Sequence, residues 1–200
     1  AVVDRPADVS YVGKRVTAGA NTEGYRRYAL TASGISLMAI PGTPGTAYTA
    51  DGLTHTERGI PSSGAKDHAA QLDKRERKLL GHDYGEFWAD IEGEGEIAVL
   101  TFGSCTGPVR DALARAASDG VSARLVSMRL LAPFQPERLA KALAGVKRVL
   151  VVEQNHGGQF LRYLRSEFQL PGEVKSYRHP GPLPVRAEAL HRQLVQWSRA

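Results

Sequence analysis

Glu153, Gln154, Asn155 and His156 follow directly on Val149-Leu150-Val151-Val152, and Gly157-Gly158 come next. A carboxylate, two amides and an imidazole in one run can hold, orient or move protons. The four apolar residues before them, three of them β-branched, predict a strand buried on both faces. Phe160, Leu161, Leu164 and Phe168 then recur at helical spacing. The stretch reads as strand, polar loop and helix, and in open α/β sheets function collects at the carboxyl end of such a strand. Glu153 and Asn155 are expected to project from that sheet edge toward a partner domain, with His156 beside them. The plainer reading is that they cap the next helix and bond the loop backbone.

Other groups invite chemical readings and meet plainer ones. Cys105 could be a nucleophile with His156 as its base; a buried structural thiol fits a lone cysteine better. Gly103-Ser104-Cys105-Thr106-Gly107 lies between a strand and a helix start, where backbone N–H groups could hold an anion. It matches neither a P-loop nor a dinucleotide fingerprint, so a tight turn is the simpler account. Asp51, His55, Glu57, Asp67 and His68 have metal-ligand types without metal-ligand spacing. Capping, salt bridges and partner contacts suit them better, and Asp51 and His55 are taken as candidate partner-interface residues. His82, His179 and His191 are isolated surface or interface positions.

These residues need elements to place them. Residues 1–24 read as a linker or arm. Thr31 to Gly64 is rich in glycine, carries three prolines and has no helical period. Met38, Ile40, Tyr48 and Ile60 sit in it as anchors, which predicts an ordered loop bound to a partner. A helix follows, capped by Ser62 or Ser63, with Ala65, His68, Leu72 and Leu79 inward and the charge run 73–78 solvated. Residues 82–96, with three aromatics and then IEGEGE, read as a domain boundary. Strands are expected at 97–102, 121–128, 149–152 and 173–177, with helices after the first three and over 186–198. The alternation means a parallel sheet covered on both faces. The predicted division is 1–95 and 96–200.

Composition narrows the function classes. The apolar fraction of 42% and charged fraction of 24% are those of a globular protein. No apolar run approaches the ~20 residues of a membrane helix. One cysteine excludes an internal disulfide and fits a reducing, cytoplasmic setting. The net charge of +5 is uneven, because residues 1–95 carry 11 Lys/Arg against 13 Asp/Glu while 96–200 carry 15 against 8. The basic charges are scattered and no nucleic-acid motif accompanies them, so nucleic acid is not an expected partner.

Two stretches resemble a known family. YALTASGISLMAIPGTPGTAYTADGLTHTERGIPSSGAKDHAAQLDKRERKL is similar to the segment that closes the pyrimidine-binding domain in the alpha subunit of 2-oxoacid:ferredoxin oxidoreductases, the 2-oxoglutarate type above all. VSMRLLAPFQPERLAKAL and VLVVEQNHGGQFLRYLR resemble the following domain, of transketolase C-terminal-like α/β fold. Leu37, Thr46, Thr54 and Thr56 depart from the family pattern. The resemblance implies an enzyme converting a 2-oxoacid and CoA to acyl-CoA and CO2, with ferredoxin as electron acceptor. It implies thiamine diphosphate, Mg²⁺ and an iron–sulfur cluster in the complete enzyme, none held by this chain alone. The implied partners are the rest of the alpha subunit, a beta subunit and, through the complex, ferredoxin. The chain then reads as a structural and interface part, the C-terminal portion of a longer polypeptide, with no catalytic residue of its own. Two other readings are a stand-alone α/β module binding an anionic ligand at Gly103–Gly107, and a cysteine hydrolase on Cys105, for which a base pattern is missing.

Overall fold

The computed structural model describes residues 15–199. The chain divides into two compact units, residues 1–83 and 84–200.

Little apolar surface is buried in the first unit. Ala39 is its only buried apolar residue among those described; Thr46, His55, Gln71 and Lys74 are the other buried side chains. Backbone contacts order the loops instead: Met38 pairs with Thr17 in a short bridge, and His55 with Pro61. Helix α1 spans Ala65–Leu80. Its cap differs from expectation. Gly64 is the N-cap, and Ser62 Oγ accepts from the Gly64 N–H and donates to Asp67. Its packed face is also the reverse of the expected one. Ala65, His68, Leu72 and Leu79 are exposed, while Gln71 and Lys74 are buried. The reason is what α1 packs against: a polar loop whose carbonyls accept from side chains, Gln71 Nε2 on Tyr28 O and Arg77 Nη2 on Thr31 O. Gly34 makes that approach possible. Its φ is +73°, and a Cβ there would stand 2.4 Å from Lys74 O.

The second unit is built on a five-stranded sheet. β1 is Ala89–Glu92, β2 Ile97–Phe102, β3 Ala123–Met128, β4 Arg148–Glu153 and β5 Glu173–Arg178. The spatial order is β1-β3-β2-β4-β5. β2, β3, β4 and β5 are parallel, and β1 joins antiparallel to β3, with Ala89 opposite Met128. Helices α2 (Thr106–Ser118) and α5 (Ala187–Ser198) cover one face. Helices α3 (Pro136–Ala142) and α4 (Gln159–Glu167) cover the other. The alternation of side chains along a strand makes this two-sided packing. Val149 and Val151 point to the α3/α4 side, Leu150 and Val152 to the α2/α5 side, and all four are fully buried.

The parallel sheet and its helices are as the sequence predicts; β1 is additional. Its short ADIE pattern sits in the stretch read as a domain boundary. Trp88, 2% exposed, packs in the α3/α4 core, and its carbonyl accepts from Arg129 and Leu130 N–H. Residues 84–95 therefore belong to the second unit, and the break between units lies 12 residues before the expected 95/96 boundary.

Candidate functional site

The carboxyl end of β4 sits between β2 and β5, so its loop leaves the centre of the sheet. Glu153, expected to project from the edge, is fully buried. It turns back over the start of α4. Oε2 accepts from the Phe160 N–H at 2.7 Å and from Asn155 Nδ2 at 2.6 Å, and Oε1 from the Leu161 N–H at 3.3 Å. Asn155 Oδ1 accepts from the Gly158 and Gln159 N–H groups. The first N–H groups of a helix have no internal acceptor, and a carboxylate there also meets the positive end of the helix dipole. The pair thus closes the N-terminus of α4, as the plainer reading had it. Gly158 is left-handed, φ +66°, and a Cβ on it would come within 3.2 Å of Arg178 Cδ. His156 is exposed, and its carbonyl accepts from Arg178 Nη1 at 3.5 Å. Gln154 reaches outward, donating to Gly181 O and Leu183 O, and so straps the 179–185 loop to the strand end.

Cys105 lies below this loop, at the end of a short 3-10 turn, Gly103–Cys105, that leads into α2. It is buried, and burial pushes its thiol above the ordinary range against hydrogen bonds from Thr101 and the Gln154 backbone. A thiol so held stays protonated and is a poor nucleophile. Thr106 Oγ1 bonds Ser127 Oγ at 2.6 Å, so the hydroxyl at the helix start is occupied inside the fold.

In the first unit His55 is 4% exposed. Its ring stacks on Tyr28, centroids 4.4 Å apart, and Nε2 lies 3.1 Å from Asp51 Oδ1. Asp51 also accepts from the Leu53 N–H at 2.8 Å. His55 is thus an internal brace of the loop, and Asp51 is the accessible member of the pair. His68, grouped with them by residue type, bonds Thr54 instead. Among the described residues no three His, Cys, Asp or Glu side chains come together as a metal site. One buried thiol does not fit an iron–sulfur cluster, whose usual donor set is four thiolates.

The sequence reading missed Lys74. It lies inside the charge run taken as solvated, yet it is 6% exposed and lines a cavity with Arg27, Arg75 and Lys78. The signal available was its phase. Lys74 falls three residues after Gln71 and so shares its helix face. In the second unit a cavity of about 670 Å3 lies at residues 165–174, beside the amino end of β5 and away from the Glu153 loop.

A mostly parallel sheet covered on both faces, with a capped polar loop at its central strand end, defines an α/β domain of the doubly wound kind. Residues 95–177 match the family model described as pyruvate:ferredoxin oxidoreductase core domain II. The second unit carries this core domain II, and the chain is similar to the alpha subunits of 2-oxoacid:ferredoxin oxidoreductases. It is 35% identical over 147 residues to subunit alpha of 2-oxoacid:ferredoxin oxidoreductase 2 from Aeropyrum pernix, covering 71% of this chain and 23% of that one. It is 32% identical over 120 residues to 2-oxoglutarate synthase subunit KorA from Methanothermobacter marburgensis, covering 57% and 31%. Among solved structures it matches the 2-oxoglutarate:ferredoxin oxidoreductase of Magnetococcus marinus, determined with 2-oxoglutarate, coenzyme A and succinyl-CoA bound. There the TM-score is 0.77 and the identity 30%, over 96% of this chain and 34% of that one. The chain thus spans between about a quarter and a third of the length of these relatives. No helix among the described residues is long and apolar enough to cross a membrane.

Proposed function

We propose that the chain is the C-terminal part of the alpha subunit of a thiamine diphosphate-dependent 2-oxoacid:ferredoxin oxidoreductase that acts on 2-oxoglutarate. The reaction joins the acyl group of the 2-oxoacid to CoA, releases CO2 and passes two electrons to oxidised ferredoxin. When bound elsewhere in the complete enzyme, thiamine diphosphate supplies the carbanion chemistry and the iron–sulfur cluster takes the electrons. This chain's residues supply a scaffold and an interface, working in a reducing cytoplasm.

The observation that carries the reading is the span of the structural match, which covers both units and not the α/β domain alone. The composition of the first unit supports the interface role. Ile40, Leu53 and Ile60 are each more than 60% exposed, and Leu72 and Leu80 are exposed on α1. Loops so poor in buried apolar surface gain their order from a neighbour. The rest of the alpha subunit and the beta subunit are the proposed neighbours, with the exposed Asp51 and His156 among the contact residues.

Co-expression with the remaining alpha segment and a beta subunit tests this. The assembled protein is expected to reduce methyl viologen with 2-oxoglutarate and CoA, while the chain alone gives no turnover. Failure of the chain to co-purify with those partners, or turnover by the chain alone, overturns the proposal.

A further inference from the structure

The cavity beside α1 has a volume of about 260 Å3, several times the ~30 Å3 share of one water. Arg27, Lys74, Arg75 and Lys78 line it, together with Tyr28 and His55. Lys74 is 6% exposed, and among the described residues its ammonium finds one acceptor, Gln71 Oε1, at a long 3.4 Å. Arg27 Nε is buried with no acceptor among the described residues. Burial lowers the Lys74 ammonium below the usual lysine range, and Arg27, Lys78 and Arg75 lower it further.

The carboxylates at hand are engaged elsewhere. Glu57, the one acid whose charge acts favourably on Lys74, accepts from the Leu30 N–H at 2.9 Å and faces Arg26 at 3.6 Å. Asp51 accepts from the Leu53 N–H and lies 3.1 Å from His55 Nε2. Four cations around one cavity, one with a buried donor lacking an acceptor and one held by a single long hydrogen bond, are costly unless a negative charge lies among them.

We propose that this cavity binds an oxyanion, a phosphate or carboxylate group, with Lys74 and Arg27 as its inner ligands and Arg75 and Lys78 at its rim. The group comes either from a soluble phosphate-bearing molecule or from an acidic side chain of the polypeptide that packs against this unit. Both present several acceptor oxygens to cationic donors, which is the chemistry the cavity lacks.

Inorganic phosphate is the probe. Calorimetric titration of the 200-residue chain is expected to show saturable binding at one site. Lys74→Met and Arg27→Met should each weaken it at least 10-fold with unchanged circular dichroism. Lys66→Met, an exposed α1 lysine outside the cavity, should leave it unchanged. Phosphate should also slow acylation of Lys74 in the unaltered chain, a readout that does not depend on any variant folding. Absence of saturable binding, or binding undiminished in folded Lys74→Met, overturns the proposal. The same titration on the assembled oxidoreductase separates the sources. Retained phosphate binding assigns the site to a soluble anion, and its loss on assembly assigns it to a carboxylate of the neighbouring chain. The test on the chain does not require that the complex form.

Discussion

Glu153 is a buried carboxylate whose oxygens meet three donors, two of them main-chain N–H groups of α4. Removing it strands those donors away from water. Glu153→Ala is therefore expected to destabilise the chain by about 3 kcal/mol in urea unfolding. Glu153→Gln keeps acceptors in place and should lose roughly half as much. An unchanged midpoint in Glu153→Ala would refute the capping role. Cys105 makes the other residue-scale prediction. Its folded thiol is held above the unfolded value, so that contribution is whole below about pH 8.5 and is lost as pH rises through the folded value. Cys105→Ser should keep assembly and turnover within a few-fold, and its Tm should fall less steeply above that pH. A loss of turnover beyond ~100-fold in a stably assembled variant would assign the thiol a chemical role.

The elements were legible where apolar residues alternate or recur, and illegible where they do not. The run Val149–Val152 marks a central strand because both its faces are covered. β1 has only Ala89 and Ile91 as apolar residues, and Ile91 is 46% exposed, because an edge strand needs no second covered face. Helix α1 misled for a different reason. Periodicity predicts which face could be buried in apolar surroundings, and this unit offers a polar loop in their place. Within its charge run Lys74 was marked only by its phase with Gln71, since burial of a cation is a property of its surroundings and not of its type. The fit of that loop on α1 gives an element-scale prediction. Gly34→Ala adds a Cβ in a left-handed conformation, which costs about 1–2 kcal/mol by itself, and sets it 2.7 Å from Lys78 N. Amide exchange around residues 74–78 should rise measurably while the sheet of the second unit keeps its protection.

Across the whole molecule the two units differ in what holds them. The second has an apolar core on each side of its sheet, and among its described residues the first buries one apolar side chain, an alanine. Limited proteolysis of the chain should cut first between 31 and 64 and leave a fragment from about residue 84 onward. First cuts within β2 to β4 would contradict this. The break between the compact units was not legible, because Trp88 and β1 join the sheet through pairing with residues some 40 positions later.

The chain has two tryptophans, and the sheet keeps them apart. Trp88 belongs to the α3/α4 face and Trp197 to the α2/α5 face, 2% and 3% exposed. Each is a native optical reporter for one layer. Trp88→Phe leaves a chain whose indole emission follows only the α5 side, and Trp197→Phe leaves one that follows only the α3 side. β2 and β4 send alternate side chains into both layers, so neither layer can loosen without disturbing strands the other requires. The two emission curves should coincide in urea, with one midpoint and one slope once each variant's own stability is allowed for. Separate transitions would mean that the sheet, though continuous in hydrogen bonds, is not one cooperative body.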